Sequence, residues 1–179
     1  ITIENNAQLK ELFANNSLTR VNNGLSIWNN KKLKSLSGLS KIKSIIGDLS
    51  IGFNISLQNI SELHTIDTLI GEIKISNNDS MQAIAGLNII YSEIDEITVR
   101  NNKFMKTMSG LNNILICDGD LIIEGNESLM TLDGLQELQI VNGNFTIYDN
   151  ADLVNLNSLK NLAYISEDIN IDDNSLLED

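Results

Sequence analysis

Residues 25–48 read LSIWNNKKLKSLSGLSKIKSIIGD. Leu25 and Ile27 stand either side of Ser26, the two-residue period of a strand that buries one face. Asn30 follows, and then Leu33, Leu36, Leu39 and Ile42 recur every third residue. That spacing is too tight for a long helix and suits turns or short 3₁₀ segments. Gly47-Asp48 closes the stretch with turn chemistry. The stretch therefore encodes one short strand and a return path.

The same 24 positions describe the whole chain of 179 residues without a gap. Rows begin at Ile1, Leu25, Leu49, Ile73, Ile97, Leu121, Phe145 and Ile169, and the third column is Ile or Val throughout. The sixth column is Asn6, Asn30, Asn54, Asn78, Asn102, Asn126, Asn150 and Asn174. With 26 asparagines in 179 residues, eight hits in eight has a chance probability of roughly 10⁻⁷, so the repeat is real. The ninth column is Leu or Met in every row, and columns twelve and eighteen are apolar in all seven full rows. Column fifteen is apolar in six, and column twenty-one mostly so. A single coil cannot bury its apolar side alone, so the coils must stack. The expected fold is mainly β: one solenoid domain over residues 1–179, about 7.5 coils of 24 residues, with a parallel sheet along one face. The sixth-column asparagines are expected to face inward at the corner, where their amides satisfy backbone groups of the turn and the next coil.

Composition removes several function classes. One cysteine rules out a disulfide framework, and one histidine rules out paired-histidine metal sites. No stretch approaches the roughly 18 apolar residues of a membrane span, so direct membrane insertion is not expected. A net charge of −12 argues against nucleic acid as a partner. No cofactor motif is present, and a binding or structural role is what remains.

The row consensus L-x-I-x-x-N-x-x-L-x-x-L-x-G-L-x-x-I-x-x-I-x-G-D resembles leucine-rich repeats in its L-x-I-x-x-N portion. The next leucine falls three residues after Asn rather than two. With the mid-row G-L and terminal G-D, that offset is similar to the receptor L domain. The resemblance implies a right-handed, β-helix-like solenoid, as in insulin- and EGF-receptor ectodomains and many bacterial surface proteins. The even spacing and asparagine-isoleucine bias look like the bacterial members, which implies a secreted or cell-surface binding protein. The sequons at Asn54, Asn78 and Asn126 fall on ladder positions that could not carry glycans, which also points toward a bacterial origin.

In a solenoid the variable columns of the open sheet face read ligands. Here these are columns two and four, and the candidate binding residues are Trp28, Gly52, Lys74, Arg100, Glu124 and Tyr148. Trp28, the only tryptophan, is expected to stand on this face beside a recess left by Gly52. Such an arrangement suits stacking on a sugar ring or a partner's apolar side chain. Phe53, where most rows carry Asn or Asp, reads as a turn aromatic folding over the corner or as an extension of the patch. The expected function is non-catalytic recognition or adhesion of a protein or glycan. The alternatives are a structural or self-associating spacer, and a carbohydrate-active β-helix enzyme using Lys74, Arg100 and Glu124.

Remaining features have plainer readings. Column twenty-four stacks Asp48, Glu72, Glu96, Asp120 and Asp168, which could hold calcium but more simply accept turn N–H bonds. His64 falls in a return segment, and Cys117 in an apolar column reads as a core thiol. Residues 1–120 carry 11 basic and 12 acidic groups (net −1), and residues 121–179 carry 1 and 12 (net −11). Such a dipolar rod could stack end to end. Polar Asn15, Asn16, Asn22 and Asn23 make row one a plausible worn cap, and the native chain is expected to continue beyond an end or use one in association.

Overall fold

A computed structural model of the chain describes residues 1–12, 17–87 and 89–178. Asn15 and Asn16, half of the expected cap, lie outside the described residues. The strands in chain order are β1 (Thr2–Glu4), β2 (Arg20–Val21), β3 (Leu25–Trp28), β4 (Ser44–Ile46), β5 (Leu49–Gly52), β6 (Thr68–Ser76) and β7 (Tyr91–Arg100). They continue with β8 (Ile116–Cys117), β9 (Leu121–Glu124), β10 (Ile140–Val141), β11 (Phe145–Tyr148), β12 (Tyr164–Ile165) and β13 (Ile169–Asp172). The chain is a β-solenoid of about seven turns, with successive turns about 24 residues apart.

The first strand column runs β1, β3, β5, the end of β6, the end of β7, β9, β11 and β13, all parallel. Its register steps by 24: Ile3 lies opposite Ile27, Ile27 opposite Ile51, Ile51 opposite Ile75, and so on to Ile147 opposite Ile171. Each strand is short because residue five of every coil turns left-handed. Asn5, Asn29, Asn77, Asn101, Asp149 and Asp173 take φ of 54° to 60°, and Gly125 takes 67°. Asn, Asp and Gly tolerate that conformation because they escape or offset its Cβ clash.

Behind the corner stands the asparagine ladder. Asn78 donates its backbone N–H to Asn102 Oδ1 at 3.1 Å, and its side-chain amide donates to the carbonyls of Ile51 at 2.9 Å and Ser76 at 3.1 Å. Asn30, Asn54, Asn102, Asn126 and Asn150 repeat the pattern of accepting from one coil and donating to the next. All six are fully buried, so each polar atom must find a protein partner, and the ladder supplies it.

The return path holds more strand than its spacing of three suggests. β2, β4, the start of β6, the start of β7, β8, β10 and β12 form a second parallel column. Expecting a single strand per coil therefore undercounts. Two residues alternating in and out, such as Ile116 and Cys117, are too few for a visible period but enough to pair across coils. Among the described residues three coils also carry a 3₁₀ turn, at Ser37–Leu39, Ser61–Leu63 and Asn157–Leu159. The mid-row glycine is dictated by the neighbouring coil: at Gly110, with φ of 118°, a Cβ would sit 2.3 Å from the Ile84 carbonyl oxygen.

Coil four departs from the repeat. Thr68 pairs with Tyr91, a step of 23, and a register shift between Gly71 and Ile73 restores 24. One consequence is that Ile90, the column-eighteen residue, is 74% exposed, while its neighbour Ile89 is buried. Another is that Ile94 rather than Glu93 turns inward. Elsewhere Leu33, Leu36, Ile42 and Ile45 are fully buried, and their equivalents fill the interior, partly buried toward the first and last coils. In the first and last coils Ile1, Ile169 and Ile171 of the core columns are exposed.

Candidate functional site

The register of the first strand column lines up Glu4, Trp28, Gly52, Ser76, Arg100, Glu124, Tyr148 and Asp172 side by side. Beside them runs the column Thr2, Ser26, Ser50, Lys74, Thr98, Ile122, Thr146 and Asn170. Strand alternation sends both columns outward, since columns one and three are buried in coils two to seven, although Ser76 and Thr98 on the outward face are themselves covered. The six candidates thus share one outward face, although they do not form one cluster.

Trp28, Gly52 and Phe53 do come together. The expected recess over Gly52 is not open. A Cβ placed on Gly52 would lie 2.3 Å from Trp28 Cζ3 and 2.6 Å from Cε3 and Cη2, so the six-membered ring of the indole already occupies that space. Gly52 therefore seats the indole instead of leaving a gap. The Phe53 ring lies beside it, with centroids 5.3 Å apart and planes inclined by 57°, a tilted aromatic pair. Trp28 is half-buried, and Phe53 is 41% exposed. The result is a pair of tilted rings, the indole seated on Gly52 and the Phe53 ring beside it. Ser26 and Ser50 flank it in the neighbouring column, and Lys74 stands exposed one coil beyond Ser50.

Phe53 achieves this at a backbone cost. Its φ is 55°, in the left-handed region, at a position that carries Asn, Asp or Gly in every other coil. For a residue with a bulky side chain that conformation costs on the order of 1–2 kcal/mol. The signal was present in the sequence as the one aromatic in column five.

The other candidates are engaged locally. Arg100 Nε lies 3.2 Å from Glu124 Oε2, an ion-pair contact with side-chain exposures of 40% and 34%. Interaction with the Asp173 carboxylate, by hydrogen bonding first and by its charge second, holds the Tyr148 phenol above the ordinary tyrosine range. Lys74, proposed with Arg100 and Glu124 as a possible catalytic set, lies in the other outward column, opposite Thr98. His64 is exposed, its Nδ1 lying 3.0 Å from the Ser61 carbonyl oxygen. Cys117 is buried, and desolvation pushes its thiol up to about 11, against thiolate chemistry.

Two of the column-twenty-four carboxylates, Asp48 and Asp120, accept turn N–H groups. Asp48 Oδ1 accepts the Glu72 N–H at 3.0 Å, and Asp120 Oδ1 accepts the Asn144 N–H at 2.7 Å. Glu96 accepts from the Thr98 hydroxyl at 2.6 Å. Among the described residues no group of three or more His, Cys, Asp or Glu side chains is placed to hold a metal ion. No helix among them is long and apolar enough to cross a membrane.

Comparison with known proteins finds no matching family model, no similar curated protein and no similar solved structure. The likeness to the receptor L domain therefore rests on the repeat pattern.

Proposed function

We propose that the chain is a non-catalytic recognition module of a secreted or cell-surface protein, of receptor L-domain type, binding a protein or glycan through its open sheet face. The observation that carries this reading is Phe53. The solenoid has a ready solution for column five, and seven coils use it. One coil replaces it with a strained phenylalanine, and that coil is the one where the ring meets Trp28 over Gly52. Strain retained at the one corner whose residue departs from the other seven points to a functional role. A pair of aromatic rings among serine hydroxyls suits a glycan, whose apolar ring face stacks while its hydroxyls bond to the surround.

Titrating glycans while following Trp28 fluorescence tests the reading. A glycan ligand is expected to shift the emission saturably, and Trp28→Ala and Phe53→Asn are each expected to abolish binding. Phe53→Asn should leave stability within about 1 kcal/mol of the parent, because relief of left-handed strain offsets the lost ring contact. An emission unmoved by every glycan and by candidate surface proteins would leave the spacer reading in its place. Release of product from a polysaccharide, abolished by Glu124→Gln, would replace it with the enzyme.

A further inference from the structure

The second strand column presents an outward face of its own, and the repeat supplies its control. Position twenty of the coil is Arg20, Ser44 and Thr68 in the first three coils, where β2, β4 and β6 pair. In coils five to seven the same position is Ile116, Ile140 and Tyr164, set side by side by the β8–β10–β12 register. The solenoid does not require apolar residues there, since its first half stands without them. Ile116 is 41% and Tyr164 55% exposed, and Ile140 is half-buried between them. Leu115, 48% exposed, and Ile90 extend the stripe into coil four, where both line a shallow depression of about 190 Å³ with Ile116. An exposed apolar stripe crossing four coils marks an interaction surface.

Charge selects the occupant. Exposed carboxylates rim the stripe on both sides: Glu137, which shares a depression with Leu115, and Glu93, Asp118 and Glu167 on the flank toward the next turn. Lys160 is the only cation in residues 121–179. A second copy laid face to face would bring these carboxylates within a Debye length of about 8 Å of their own kind, and an anionic lipid surface would meet the same repulsion. The strands present one apolar side chain every ~4.8 Å across the stripe, close to the ~5.4 Å turn of an α-helix. We infer that this face docks an amphipathic helix of a partner polypeptide, its apolar side on Ile90, Leu115, Ile116, Ile140 and Tyr164 and its lysines or arginines on the acidic rim.

The probe is a synthetic helix-forming peptide of about 18 residues, with leucines at i, i+3, i+4 and i+7 and lysines elsewhere, followed by fluorescence anisotropy. A leucine-free lysine peptide of equal charge and a leucine–glutamate peptide serve as comparisons. The leucine–lysine peptide is expected to bind alone among the three. Combining Ile116→Ser, Ile140→Ser and Tyr164→Ser should weaken it at least about tenfold. Glu137→Gln with Glu167→Gln should weaken it and flatten its salt dependence. Trp28→Ala should change nothing, and Trp28 emission should not move, which separates this surface from the sheet-face site. Circular dichroism verifies that the triple variant keeps its fold, and Tyr164→Ser alone provides a second, milder variant. Equal binding of the leucine-free peptide, or unchanged binding by a folded stripe variant, would overturn the inference. So would a dimer in sedimentation that the stripe variant dissolves, since the occupant would then be a second copy.

Discussion

Gly52 and Phe53 are adjacent departures from the residue types that the other coils carry in columns four and five, and they depart in opposite ways. Gly52 lacks the side chain that other coils carry in column four, and the indole of Trp28 fills the vacancy. Its backbone has no left-handed requirement, unlike that of Phe53. Gly52→Ala should therefore be tolerated by the main chain and resisted only by the Trp28 ring, which must swing off the sheet. We expect a red shift of Trp28 emission with a loss of stability of about 1 kcal/mol, read from paired fluorescence and denaturant titrations. An unchanged emission would mean that the indole does not rest on Gly52.

At the scale of the element, the corner is the unit that makes a coil. It joins a left-handed residue five to an inward asparagine at six, and the asparagine closes onto both neighbouring coils. In the middle of the rod Asn102 Oδ1 accepts the Asn78 N–H, while its amide donates to the carbonyls of Ile75 and Arg100, each at 3.0 Å. Asn102→Ala leaves several of these groups buried without partners, at about 1–3 kcal/mol apiece, so a loss of at least about 3 kcal/mol is expected. Asn6 is exposed, and its side-chain amide donates to Glu4 O and Asn30 Oδ1. Asn6→Ala should cost about 1 kcal/mol or less in the same thermal or urea measurement, because water replaces what it loses. Equal losses at the two positions would contradict burial as the source of the ladder's strength.

The whole molecule carries a charge pattern that the fold converts into stacked rows. Turn carboxylates that lie 24 residues apart in sequence become neighbours, and Glu72 registers it. Partial burial first, then the charges of Asp48 and Glu96, raise its carboxyl above the ordinary glutamate value. A raised carboxyl binds its proton more tightly in the folded state than in the unfolded one. Its contribution to stability is thus unfavourable when ionised at neutral pH, and is relieved as pH falls through the folded value toward the unfolded one. Glu72→Gln should accordingly raise the melting temperature at pH 7 in low salt, with the gain shrinking at high salt and vanishing near pH 4. A gain that persisted at pH 4 would assign the effect to something other than charge.

The period of 24, the inward columns and the asparagine corner were all legible in the letters, because each coil faces the same stacking problem and must answer it with the same residue types. Eight copies of one answer make a pattern that no single element could show. What the letters left open was decided between coils. The Gly52 recess is closed because a side chain one coil away lies in it, and Ile90 faces solvent because coil four is stepped by 23 and not 24. The second strand column, with its exposed stripe of Ile116, Ile140 and Tyr164, is built from two- and three-residue strands and the starts of β6 and β7, whose pairing exists only once the coils are stacked. A repeating sequence fixes what every coil has in common. How one coil's side chain meets the next coil's surface is a matter of packing distance, which only the stacked structure determines.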